Sequence, residues 1–250
     1  MARDPSFALS FGTQAAAYDR GRPGYPDDAV EWIITRAATD DDALPDVVDL
    51  GAGTGKFTDS LVSRAATVTA VEPDAQMRER LTANLPGVVA VAGTAEAIPL
   101  GDESADLVTV AQAWHWVDPE AASREVARIL RPGGALALIW NIRDASVDWI
   151  AELGRIMGAS EAERFDSLTP PIGEPLTRDA YAEFHWSNPI SRDELHAMVT
   201  SRSYVIAMGA AERDDLLARI DHLLTTHPDL AGRDTFDLAY STRVTIARHF

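Results

Sequence analysis

Three groups of residues in this chain have the types and spacing to do chemistry. The first is VVDLGAGTGKFT, Val47 to Thr58. Here a short apolar run carries one acid, Asp49, into a turn with alternating glycines at 51, 53 and 55. Glycine permits the turn and removes the Cβ that would keep a ligand away from the backbone. A buried strand that enters a glycine turn at a helix start is how α/β folds bring backbone to a nucleotide-like ligand. The second is Glu72, at the end of the β-branched run TVTAV. An acid about 20 residues after such a turn is placed to accept the hydroxyls of a ribose. The third is His115, between Trp114 and Trp116. Its ring titrates near neutral pH and is the one candidate general base, catalytic if it reaches the reacting atoms. The competing reading is a histidine packed between two indoles.

The glycine spacing decides between ligands. A phosphate-binding P-loop requires G-x-x-x-x-G-K-[ST], but Leu50 and Phe57 stand where its first glycine and its hydroxyl belong. A dinucleotide turn requires G-x-G-x-x-G, and Lys56 occupies the place of the third glycine.

The D-x-G-x-G-x-G spacing instead resembles the first motif of the class I S-adenosylmethionine-dependent methyltransferases. Four further segments carry the resemblance in order. VTAVEPDAQM matches the family's pattern around Glu72, Pro73 and Met77. GTAEAIPL resembles its adenine-cupping segment through Thr94, Ala95 and Glu96. Thr94 stands where the family carries Asp, and a hydroxyl bonds adenine more weakly than a carboxylate does. EVARILRPGGAL matches the family's helix-stop-strand signature, and FGTQAAAYDRGRPGYP resembles its leading segment. The resemblance implies S-adenosyl-L-methionine as cofactor. It implies cofactor contacts from Tyr18, Arg22, Asp49, Gly51, Ala52, Gly53, Glu72, Pro73, Met77, Thr94, Ala95, Glu96 and Gln112. It leads to a short N-terminal helix that closes over the cofactor, with Arg22 suited to a carboxylate by its planar fork.

The elements that must position these residues follow from periodicity. The fold expected is α/β, a Rossmann-like seven-stranded, mostly parallel sheet with helices on both faces. An antiparallel C-terminal edge and a helical lid complete it. Asp27–Ala38 is amphipathic, and Asp118-Pro119-Glu120 is a strong helix start. The segment 146–177 reads as irregular, broken by Pro170, Pro171 and Gly173. Strands are expected over Tyr181–Ile190 and Leu238–Ala247, and a capping box at Ser191–Glu194 opens a helix running towards Arg202. A further helix is expected over Arg213–Thr225, with leucines spaced for burial. Arg202 and Tyr204 are candidates to face a substrate from the lid. The division expected is one domain over 1–250: a helical cap (1–45), a cofactor-binding core (46–143) and a substrate-shaping region (144–250).

Composition narrows the partners. The chain has 250 residues, is 46% hydrophobic, lacks cysteine and carries a formal net charge of −17. A strongly acidic chain repels nucleic acid and anionic membranes. His185, His196, His222, His227 and His249 show no ligand spacing, and no metal site is expected. A signal-peptide pattern is missing from the first residues, which points to the cytoplasm. The expectation is methyl transfer to a small-molecule acceptor, led by an oxygen nucleophile, with no nucleic-acid or membrane partner. An NAD(P)-dependent oxidoreductase on a similar sheet and a non-catalytic cofactor-binding regulator remain open at this point.

Overall fold

The computed structural model describes residues 22–37, 43–158 and 168–249. In chain order its strands are β1 (Asp46–Leu50), β2 (Thr67–Val71), β3 (Val89–Val91), β4 (Ala105–Ala111), β5 (Leu130–Arg143), β6 (Thr177–Ser191) and β7 (Thr235–Arg248). They form one seven-stranded sheet in the order β3-β2-β1-β4-β5-β7-β6. β1 to β5 run parallel, and β7 pairs antiparallel with both β5 and β6. This is the expected Rossmann-like sheet with its antiparallel edge. The order reverses beside β1, and open α/β sheets take ligands at the carboxyl ends of strands near such a point.

The helices are α1 (Asp27–Ala37), α2 (Lys56–Val62), α3 (Ala75–Asn84), α4 (Pro119–Ile129), α5 (Asp148–Met157), α6 (Arg192–Thr200), α7 (Ser203–Ile206) and α8 (Ala210–Thr226). Local chemistry fixes their starts. Asp74 caps α3 by accepting from the backbone N–H of Gln76 and Met77, and Asp118 caps α4 in the same way. The Ser191–Glu194 capping box is formed at the start of α6. Ala29, Val30, Ile33 and Ala37 of α1 bury against Leu107, Ala137 and Ile139 of the sheet.

Three expectations need correction. The segment after Ser146 is not irregular throughout, because α5 occupies Asp148–Met157. Its Trp149, Ile150, Leu153 and Met157 share one face and join Leu195, Met198, Leu216 and Ile220 in a second apolar cluster. β5 begins at Leu130, so Pro132-Gly133-Gly134 lies within the strand span rather than before it. Gly134 fits there because a Cβ would stand 2.9 Å from the backbone oxygen of Asp106 on β4. β6 and β7 outrun the apolar alternation at both ends, since their pairing continues from Thr177↔Arg248 to Ser191↔Thr235.

Arg131 pins the far end of the sheet, donating to Asp46 at 2.9 Å and to Asp106 at 2.8 Å. Its bidentate fork ties β1 and β4 together opposite the ligand end. No helix among the described residues is long and apolar enough to cross a membrane.

Candidate active site

The glycine turn is held from behind. Gly51 N–H donates to the Val71 carbonyl at 2.8 Å, and Gly53 N–H donates to Glu72 Oε2 at 2.9 Å. The other oxygen of Glu72 accepts from Asp74 N–H at 2.9 Å. Glu72 therefore joins the loop after β1 to the start of α3. Its burial pushes the carboxyl pKa up, against two backbone donors that favour the charged form. Gly51 and Gly53 both have φ in the left-handed region, +65° and +58°.

Asp49 lies beneath the turn, 1% exposed. Thr58 Oγ1 donates to its Oδ2 at 2.7 Å, and Thr109 Oγ1 donates to its Oδ1 at 2.8 Å. Burial nevertheless pushes its pKa up to about 6, with the Glu72 charge adding to the rise. Gln112 directly follows β4, with φ +59°. A non-glycine residue there is uncommon, and such strain persists only where neighbours enforce it. The neighbours are on β5: Gln112 N–H donates to the Ile139 carbonyl at 2.9 Å, and Gln112 Nε2 to the Asn141 carbonyl at 3.0 Å.

Asn141 collects the remaining contacts. Its Nδ2 donates to the Gly24 carbonyl at 2.9 Å, and its Oδ1 accepts from Thr242 Oγ1 at 2.6 Å. Thr242 in turn accepts from Trp186 Nε1 at 2.8 Å. The segment before α1 is thereby fastened to the carboxyl end of the sheet.

These parts enclose a cleft of about 790 Å³, open mouth included. Of the residues expected from sequence, Arg22, Asp49, Gly51, Ala52, Gly53 and Gln112 line it. Tyr18 lies outside the described residues. Glu72, Pro73, Met77, Thr94, Ala95 and Glu96 are not among the lining residues. Met77 is buried on α3, and Glu96 accepts from Asp118 N–H at 2.9 Å, tying its loop to α4. His115 is not in the cleft wall either. It is 3% exposed, in a single 3-10 turn, with its ring centroid 4.7 Å from that of Trp116. The ring is packed beside Trp116, away from the described lining residues.

Asn141, Arg143 and Tyr240 line the cleft without having been singled out from sequence. The first two follow the apolar run of β5 at its carboxyl end, where strand polarity alone would have pointed. Tyr240 carries no such signal, because it arrives through the antiparallel pairing Arg143↔Tyr240. Among the described residues no group of three metal-ligating side chains could hold an ion.

Comparison with known proteins adds the decisive observation. A methyltransferase-domain family matches residues 48–138. An uncharacterized methyltransferase of Mycobacterium tuberculosis is 47% identical over 243 residues, spanning 96% of this chain and 97% of the relative. The chain belongs to the class I S-adenosylmethionine-dependent methyltransferases. A malonyl-[acyl-carrier protein] O-methyltransferase of Methylococcus capsulatus is 36% identical to this methyltransferase over 135 residues, 52% of this chain and 49% of the relative. The structure of a proposed type II methyltransferase from Anaeromyxobacter dehalogenans shares its fold. The TM-score is 0.68 at 24% identity, over 90% of this chain and 96% of that one. Membership implies that the methyltransferase binds S-adenosylmethionine or its demethylated product.

Proposed function

We propose that this methyltransferase acts in the cytoplasm on an oxygen of a small-molecule acceptor, with no nucleic-acid or membrane partner. The observation that carries the reading is the cleft itself. It lies at the carboxyl ends of β1, β4 and β5, walled by a glycine turn on one side and by polar strand ends on the other. A Cβ on Gly53 would meet nothing within 4 Å, so the turn leaves open space for a cofactor. The residues present fit S-adenosylmethionine. Arg22, Asp49, Gly51, Ala52, Gly53 and Gln112 would hold its amino-acid end, with Tyr18 assigned there by family resemblance. Glu72 would accept the ribose, and Pro73, Met77, Thr94, Ala95 and Glu96 would surround the adenine. When bound, the cofactor supplies an electrophilic methyl group.

The chain's own work is alignment and exclusion of water. Among the described lining residues the one carboxylate is Asp49, already engaged by two threonine hydroxyls. His115 is packed elsewhere. An acceptor that arrives deprotonated needs no base from the protein, which favours a carboxylate over an alcohol. The acyl-carrier O-methyltransferase among the relatives supports oxygen as the acceptor atom.

Calorimetric titration with S-adenosylmethionine, S-adenosylhomocysteine and NADPH tests the cofactor assignment. Micromolar binding of the first two alone is expected, and binding of NADPH alone overturns it. Glu72→Ala should weaken S-adenosylhomocysteine by about 1.5–3 kcal/mol, the worth of a hydrogen bond to a charged group. An unchanged affinity would sink the ribose role.

A further inference from the structure

The cleft inverts the charge of the chain that builds it. The whole sequence carries a formal −17, yet among the described lining residues Arg22, Lys56, Arg143 and Arg202 stand against one acid, Asp49. Arg22 and Lys56 belong to the side formed by the glycine turn and the segment before α1. Arg143 and Arg202 belong to the other side. Arg143 ends β5, paired with Tyr240 of β7, and its Nη1 donates to Met157 Sδ at 3.0 Å.

Arg202 is the more telling of the two. It sits on the corner between α6 and α7, where its backbone is fixed at both groups. Its N–H donates to the Val199 carbonyl at 3.1 Å, and its carbonyl accepts from Val205 and Ile206 at 2.9 Å each. Ser201 beside it is fully buried. The guanidinium Nε is buried and has no hydrogen-bond partner, and Nη2 reaches only the weak acceptor Met198 Sδ at 3.6 Å. No carboxylate among the described residues forms an ion pair with it. Leaving a buried charged donor unsatisfied is costly, and such groups in native proteins are normally paired. A rigid corner that aims an uncompensated guanidinium into a ligand cleft is a preorganised anion site.

We propose that Arg202, flanked by Arg143 and Tyr240, binds a carboxylate carried by the methyl acceptor. The assignment rests on the methyltransferase reading above and gives its acceptor a chemical class. The glycine-turn side already holds cations for the carboxylate of the cofactor, so the β5–β7 side serves a second anion. The cofactor also brings a net positive charge into a cleft rich in guanidinium groups. An anionic acceptor relieves that crowding, so cofactor and acceptor should strengthen each other's binding, as linkage requires.

The test uses the whole protein saturated with S-adenosylhomocysteine. Benzoate, 3-phenylpropionate and glutarate are titrated beside their amides, with phenyl phosphate as the alternative anion. At least one acid should bind tenfold or more tightly than its amide. Arg202→Met should erase that preference while S-adenosylhomocysteine affinity stays within twofold, and Arg202→Lys should keep part of it. Three results overturn the proposal: equal binding of acids and amides, binding of phenyl phosphate alone, or an Arg202→Met loss that falls equally on S-adenosylhomocysteine. The acid-against-amide comparison in the unmutated protein stands even where a variant fails to fold. Failure of S-adenosylhomocysteine to bind at all strikes the cofactor assignment instead, so the two failures are distinct.

Discussion

Gly51→Ala should give a protein that holds S-adenosylhomocysteine at least tenfold more weakly and unfolds about 2–5 kcal/mol more easily. Two costs add. At φ +65° an L-residue with a side chain loses about 1–2 kcal/mol to the clash of Cβ with backbone. The new Cβ would also stand 2.7 Å from Ala113 Cβ, an overpacking that typically costs about 1–3 kcal/mol. Retreat is blocked, because Gly51 N–H is tied to the Val71 carbonyl at 2.8 Å. Ala113 must therefore yield, and it follows Gln112, whose left-handed backbone forms the opposite wall of the cleft. Gly53→Ala supplies the control. Its φ is also positive, but a Cβ there meets nothing within 4 Å, so only the backbone cost of about 1–2 kcal/mol applies to stability. Denaturant unfolding of both variants separates the terms. Equal losses would show that the Ala113 contact does not matter.

The second large effect concerns Asp49 and pH. Its folded pKa of about 6 lies above the ordinary value of 3.8 because burial disfavours the charge. Between those values the folded state holds the proton more tightly than the unfolded chain does. The stability owed to this group is therefore fully present below about pH 4 and is lost as pH rises through 6. The loss is about 3 kcal/mol for a shift of this size. Asp49→Asn removes the titration. The difference in unfolding free energy between the two proteins should change by about 2–2.5 kcal/mol from pH 4 to pH 7, with the unmutated protein gaining as pH falls. Other carboxylates titrate in both proteins and largely cancel. A gap that stays constant with pH contradicts the assignment. In the same range S-adenosylmethionine should bind less well below pH 6, because a neutral acid attracts its ammonium group less than a carboxylate does.

The sheet and its helix starts were legible because their signals are local. Asp118 and Ser191 cap the helices they were expected to cap, and the apolar runs of β1 and β2 lie where they read. Helix α5 shows the limit. Trp149, Ile150, Leu153 and Met157 have helical spacing, but the prolines and glycine further on dominated the reading of the segment. The glycine-turn half of the cleft was legible for the same local reason. Of the other half only Arg202 was singled out, because Arg143, Tyr240 and Arg202 come from three distant parts of the chain. The β5–β7 register and the α6–α7 corner bring them together. Spacing along the sequence carries no trace of that meeting.

Asn141 gives this geometry an optical consequence. One amide group links the Gly24 carbonyl to Thr242, and Thr242 receives the indole N–H of Trp186, which stacks on Tyr240 at 5.3 Å. The segment that carries Arg22, Pro23 and Tyr25 into the cleft wall is thus wired to a native fluorophore on a different strand. Lifting that segment to admit or release a ligand disturbs the polar partner of the indole. Emission from Trp186 then becomes a clock for the opening of the cleft, with no label added.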